Sequence, residues 1–240
     1  MKKPLLFGQM TSTQIARISK QKKKPVVILP MGAIEAHGSH LPLWTDSVTP
    51  YELAKKVSER TGALVLPPIN YGFCYTLRPW AGTISLSSST FAGLIRDITK
   101  ELVRNGFDKL LFLNGHGANA SIASNTLKEL ADELKFQACI ISWWELPEVK
   151  KELGSSVGHA DENETSLIMA LTDWQKIKVK QLQSKLYVGR LIPAPKDSFT
   201  RLGYIGKIGN ESIQKGKLIE KMIVKQLVAL VNENLLLEQK

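Results

Sequence analysis

Short apolar runs alternate along the chain with longer stretches whose apolar residues recur at intervals of three and four. The runs are Val26-Val27-Ile28-Leu29-Pro30, Ala63-Leu64-Val65-Leu66, Lys109-Leu110-Leu111-Phe112-Leu113 and Ala138-Cys139-Ile140-Ile141. Each is short, rich in branched residues and continuous rather than alternating, as in strands covered on both faces. A further short strand is expected over Thr83–Leu86. Helical spacing runs from Thr45 to Arg60 (Val48, Leu53, Ala54, Val57) and from Thr90 to Asn105 (Phe91, Ile95, Ile98, Leu102), the latter closed by Asn105-Gly106. It recurs from Ala118 to Leu134, from Asn163 to Leu171 and, as one long helix or two, from Asn210 to Leu237. Strands alternating with helices predict an α/β fold, a mostly parallel sheet with helices on both faces. Residues 175 to 209 carry Pro193 and Pro195 without periodicity and are expected to run over the surface. A single domain over 1–240 is expected.

Composition narrows the function classes. With 43% hydrophobic and 22% charged residues among 240, wholesale disorder is excluded. No apolar run approaches the roughly 18 residues of a membrane helix, and the start lacks the apolar stretch of a signal peptide. Two cysteines, Cys74 and Cys139, form no disulfide framework, so a reducing cytoplasm is the expected compartment and both thiols are read as structural. The 32 Lys and Arg exceed the 22 Asp and Glu by 10. That charge suits nucleic acid or an anionic substrate. The basic residues are scattered, however, and the densest run, Lys20 to Lys24, reads as a solvated turn. No nucleic acid and no membrane is expected as a partner.

The four histidines carry the chemistry. His37 and His40 lie in Gly32-Ala33-Ile34-Glu35-Ala36-His37-Gly38-Ser39-His40-Leu41-Pro42-Leu43-Trp44-Thr45-Asp46. His116 lies in Asn114-Gly115-His116-Gly117-Ala118-Asn119, and His159 in Gly158-His159-Ala160-Asp161-Glu162-Asn163-Glu164. The first two segments follow predicted strands, at the edge where open parallel sheets bind ligands. Histidines and carboxylates converging there suit zinc or manganese. Each residue also has a plainer reading. Asp46 would serve as a helix cap, and Glu164 as a first-turn acid favoured by the helix dipole. His40 would orient other ligands rather than bind directly. The pair Trp143-Trp144 would pack in the core or line the mouth of the site.

On these residues the chain resembles the creatininase (creatinine amidohydrolase) family, over about 25 to 172 and again from Gly203 to Leu218. The stretch from Glu35 through His37, His40 and Asp46 carries the resemblance most specifically. Such a resemblance implies a three-layer α/β/α fold and two divalent metal ions, zinc or manganese. It implies hydrolysis of non-peptide C–N bonds of small amides, and a homo-oligomer, commonly a hexamer. By motif, Glu35 and His116 would hold one metal and His37 the other, with Asp46 bridging. His159 and Glu164 would fall on catalytic and second-metal positions, and Trp144 on a substrate-facing one, with His40 a second candidate substrate contact.

This chain departs from the creatininases proper in several places. Gly117 and Ala118 stand where those proteins carry Tyr-Glu, so Glu164 is the candidate for the missing carboxylate. Near Ser155 they carry a tryptophan. After Tyr71-Gly72, where a Ser and a Glu-His pair are usual, this chain has Cys74, Thr76 and Leu77. The metal site reads as kept and the substrate pocket as altered. The implied reaction is attack of a metal-bridging hydroxide on an amide carbonyl, with His159 passing a proton to the leaving nitrogen. Alternatives are a deformylase of a formyl-amide nucleotide precursor, a peptide-processing enzyme and, from another class, a basic module with a structural metal. The carboxylate-rich donor set speaks for catalysis over a closed structural site.

Overall fold

The computed structural model describes residues 2–154, 158–175 and 203–235, with side chains to Glu233. Ser155 and most of the 175–209 excursion lie outside the described residues.

Five parallel strands form one sheet in the order β1-β3-β2-β4-β5. They are β1 (Leu5–Leu6), β2 (Val27–Met31), β3 (Leu64–Val65), β4 (Lys109–Asn114) and β5 (Gln137–Ser142). The central pair is in register from Val27 against Leu110 to Met31 against Asn114. Successive residues of a strand face opposite ways, and here each face has its own core. Ile28, Val65, Leu111 and Leu113 pack with Leu53, Val57, Ile219, Ile223 and Leu227. These come from α2 (Thr45–Thr61) and α7 (Ile213–Ala229). On the other face Val27, Leu29, Leu110 and Phe112 pack with Phe91, Ile95, Leu102, Ala123 and Leu127. These belong to α3 (Ser88–Arg104) and α4 (Gly117–Ala131). The result is the three-layer α/β/α arrangement, with strands apolar throughout because both faces are covered.

Several elements were not apparent from periodicity. Strand β1 has two residues and sits at the edge, with Leu5 N–H donating to Ser58 Oγ at 2.8 Å. Helix α1 (Ser12–Ser19) starts at a capping box made by Thr11 and Gln14. Helix α5 (Pro147–Leu153) is short and begins with proline. Conversely, Thr83–Leu86 is no strand. Ile84 makes one isolated antiparallel bridge to Ile34, and Leu86 N–H goes instead to Gly72 O. The last helix ends its regular part at Ala229, followed by a wider turn over Leu230–Leu235.

One contact fixes where the helices meet the strand ends. The first turn of α2 lies directly on two glycines, Gly32 after β2 and Gly115 after β4. A Cβ on Gly32 would stand 2.3 Å from Ser47 Cα, and one on Gly115 2.1 Å from Asp46 O. In a regular helix Asp46 O would accept from residue 50, but Pro50 has no N–H. Its carbonyl therefore faces Gly115 at close range.

Gly115→Ala is expected to destabilise the protein by about 1–3 kcal/mol, because backbone must shift to admit one methyl group. Gly117→Ala, whose Cβ would meet nothing within 4 Å, is expected to change stability by less than about 1 kcal/mol. Urea unfolding of the two variants checks the contrast.

Candidate metal centre

All the histidine-bearing segments reach the carboxyl-end edge of the sheet. Glu35 and His37 follow β2, Asp46 lies in the first turn of α2, and His116 follows β4. His159 and Glu164 flank the start of α6 (Glu162–Leu171). The backbone of Gly203–Ile208 holds two of these loops together. Gly38 N–H donates to Gly203 O at 2.7 Å, and His159 and Ile205 exchange backbone bonds of 2.9 and 2.7 Å. Gly158 has no room for a side chain, since a Cβ there would fall 1.7 Å from Ile205 O.

Asp46 is the hub. Its Oδ1 lies 2.9 Å from His37 Nε2 and its Oδ2 2.9 Å from His116 Nδ1. Glu35 Oε1 is 3.0 Å from the same His116 Nδ1, and Glu164 Oε2 is 3.8 Å from His37 Nε2. His159 lies beside His37, ring centroids 4.2 Å apart, with Nδ1 3.7 Å from Glu35 Oε1. Glu35, His37, Asp46 and Glu164 are all 5% exposed or less, so they meet out of water.

The reading of Asp46 as a helix cap does not describe the structure, and Glu164, although it is a first-turn acid of α6, has a further place in the site. Trp44 occupies the cap position of α2 without a side-chain bond, and Asp46 points to the histidines instead. Asp161 caps α6, accepting from Asn163 and Glu164 N–H, which leaves Glu164 to accept from Ala160 N–H at 2.7 Å. His40 is buried outside the cavity wall. Its Nε2 donates to Ala160 O at 3.0 Å, holding a residue whose φ of +52° is in the left-handed region.

Each ring in the cluster spends its outer nitrogen on a backbone carbonyl. His37 Nδ1 donates to Glu35 O at 3.0 Å, His116 Nε2 to Phe73 O at 3.0 Å and His159 Nε2 to Ala36 O at 2.8 Å. That arrangement presents the inner nitrogen of each neutral ring as a lone pair. Lone pairs of imidazole and carboxylate then face one another in a dry pocket, so a cation must stand between them.

The same carboxylates shift how tightly these groups hold protons. Burial pulls the His37 and His116 rings down, but the surrounding carboxylates outweigh it. Asp46, with Glu164 and Glu35, raises His37 to about 10, and Glu35 with Asp46 raises His116 well above the usual imidazole range. Asp46 is held far below the usual carboxylate range despite burial, by His37 and His116. Burial raises Glu35, and raises Glu164 to about 8 with help from Asp46 and Asp161. His159 goes the other way, down to about 3, through burial and the charge on His37. The donors fit divalent metal. Three overlapping sets of donor atoms lie mutually within 4.8 Å, Glu35–Cys74–His116, Glu35–His37–His159 and His37–Asp46–Glu164, and the contact of Asp46 Oδ2 with His116 links the third to the first.

A cavity of about 600 Å³ opens over these groups, walled by Phe73, Leu77, Ile122, Trp143 and Trp144. Trp144 thus faces the site, with Trp143 edge-on to it at 5.4 Å. The reading of Cys74 as structural says nothing of where it lies, because nothing in its own segment marks its position. It lies on the cavity wall with Sγ, a Glu35 oxygen and a His116 nitrogen mutually within 4.8 Å. The folding-back of the loop after Pro67-Pro68 puts it there.

Such a fold and donor set define an α/β/α protein with a candidate divalent-metal centre at the carboxyl ends of its strands. The Creatininase family model, described as creatinine amidohydrolase, matches residues 8–231. Creatinine amidohydrolase of Pseudomonas putida is 32% identical over 192 residues, 71% of this chain and 73% of that protein. The mycofactocin precursor peptide peptidase of Mycobacterium ulcerans (strain Agy99) is 29% identical over 180 residues, 69% and 64% of the two chains. Among solved structures, a Zn–Zn form of a creatininase variant superposes with a TM-score of 0.88 at 27% identity, covering 98% and 99%. A manganese form gives 0.85 at 27%, covering 97% and 99%. The chain belongs to the creatininase family, and is a hydrolase of the class acting on non-peptide carbon–nitrogen bonds.

Because His37, His116 and Glu164 hold protons that a metal must displace, metal affinity of the stripped protein is expected to rise with pH from about 6 to about 8. Calorimetry in buffers of different ionisation heat checks this. Proton release on zinc binding is expected, and proton uptake would contradict the assignment.

Proposed function

We propose that the protein is a two-metal amidohydrolase that cleaves a C–N bond of a small cyclic or linear amide. The observation carrying this reading is the Asp46 carboxylate, with one oxygen on His37 and the other on His116. Glu35, Asp46 and His116 would hold one ion, and His37, Asp46 and Glu164 the other. Bound there, two divalent ions would supply a water acidified to near neutral pH and a Lewis acid for the carbonyl oxygen.

The chain's own groups do the rest. His159 is neutral at pH 7, its Nε2 proton committed to Ala36 O, so Nδ1 is the atom that takes up a proton and passes it to the leaving nitrogen. Ala160 N–H and His37 fix Glu164 from two sides. Trp144 and Phe73 would offer flat apolar faces to a planar amide, with Trp143 and Leu77 completing the apolar wall.

The substrate we favour is an amide bulkier than creatinine. Gly117 has open space above it, and Ala118 beside it on the wall is small, so the cavity is wide where the creatininases proper carry Tyr-Glu. A formyl-amide precursor or a peptide end is the second reading, favoured by the same width and by the peptidase relative. We further read residues 1–240 as one domain that assembles with copies of itself, as a hexamer. The exposed Leu43, Trp44 and Ile84 support such self-assembly. A cytoplasmic setting goes with this reading. Among the described residues no helix is long and apolar enough to cross a membrane.

Elemental analysis of protein purified without chelator is expected to find about two divalent ions per chain, and fewer in both Glu35→Ala and His116→Ala. Absence of metal even after zinc and manganese supplementation would overturn the proposal. His159→Ala is expected to lower kcat by about 10²–10⁴ on any amide turned over, with metal content unchanged. Loss of metal in that variant would make His159 a ligand instead.

A further inference from the structure

Resting on the two-metal reading above, we infer that Cys74 is a ligand of the Glu35–Asp46–His116 site, making one half of the centre a thiolate site selective for zinc over manganese. The placement is geometric. Cys74 Sγ, a Glu35 carboxylate oxygen and a His116 ring nitrogen lie mutually within 4.8 Å, and Asp46 Oδ2 is 2.9 Å from His116 Nδ1. One ion placed among the first three would meet a carboxylate, an imidazole and a sulfur, with the Asp46 carboxylate against the same imidazole.

The loop is built to hold the sulfur there. Cys74 N–H donates to Ser85 Oγ at 2.9 Å, and Phe73 N–H to Asn119 Oδ1 at 3.1 Å. Phe73 O takes the outer proton of His116, so the residue before the thiol and the ligand opposite it are tied directly. Asn119 in turn donates to Gly32 O at 2.9 Å, and Gly72 is pressed against Asn119 so closely that a Cβ would fall 2.6 Å from its Oδ1. Cys74 is 1% exposed and lines the cavity, with Glu35 and His116 as its polar neighbours. Cys139 differs, packing against the apolar core of the sheet.

On metal binding the thiol S–H breaks, its proton leaves through the cavity to solvent, and a sulfur lone pair forms the bond to the ion. Sulfur is a soft donor that favours zinc and cobalt over manganese. Four protein donors would close this half of the centre, whereas His37, Asp46 and Glu164 provide three. The second half is then the one with a position open to substrate.

Zinc X-ray absorption on the wild-type protein tests this without mutation. One sulfur per two zinc ions at about 2.3 Å is expected. A shell of nitrogen and oxygen alone would overturn the assignment of Cys74 while leaving the two-metal reading intact. No metal retained even after zinc and manganese supplementation would overturn both. In parallel, chelator-stripped protein is titrated with Co²⁺ alone. A near-ultraviolet thiolate-to-cobalt band is expected in wild type and in Cys139→Ser and absent in Cys74→Ser, whose visible cobalt bands persist. Survival of the band in Cys74→Ser would refute the proposal. The preference for zinc over manganese is expected to fall about tenfold or more in Cys74→Ser, and an unchanged preference would also refute it.

Discussion

The shared carboxylate of Asp46 is the constraint around which the rest of the molecule is arranged. Its two oxygens must reach two imidazoles that belong to loops after different strands, and that demands a helix end placed to within a fraction of an ångström. The sheet provides the placement through absence of side chains. Gly32 and Gly115, at the ends of adjacent strands, let the first turn of α2 rest on backbone. Pro50 removes the N–H that would otherwise compete for the Asp46 carbonyl. Packing this tight has no slack, so the fold and the donor geometry are one problem solved together.

The second ordering principle is the use of carbonyl groups from loop backbone to choose histidine tautomers. Three rings donate outward to Glu35 O, Phe73 O and Ala36 O, and present their other nitrogens inward. The same bond gives different chemistry in different surroundings. His37 and His116 are ringed by carboxylates and are raised, which suits a position that a cation will occupy. His159 is pushed down by the charge on its neighbours and stays a neutral acceptor. A metal-holding set and a proton carrier are thereby separated without any change in residue type.

Much of this was legible in the chain before any coordinates. Strands buried on both faces read as unbroken apolar runs, and helices covering one face read at intervals of three and four, so β2 to β5 and α2, α3, α4 and α6 stood out. The local segments Glu35 to Asp46 and Gly158 to Glu164 carried the donors close together. What did not show was whatever depends on docking. Strand β1 has two residues and exists through β3, Thr83–Leu86 lacks a neighbouring strand to pair with, and α5 is too short to display a period. The position of Cys74 is set by Asn119 and Ser85, 45 and 11 residues away along the chain, and no local pattern records such ties. Likewise the capping of α6 fell to Asp161, and this freed Glu164 for the site in a way that composition alone does not reveal.

The backbone pairing of His159 with Ile205, and of Gly38 with Gly203, has a consequence in time. The strands and the donor residues all precede the segment that fastens the first loop to the third, which must emerge after them. Until it does, His159 has no backbone partner from that segment and the loop bearing His37 is untethered on one side. A nascent chain therefore carries every donor before the loops that bear them can be fastened to one another.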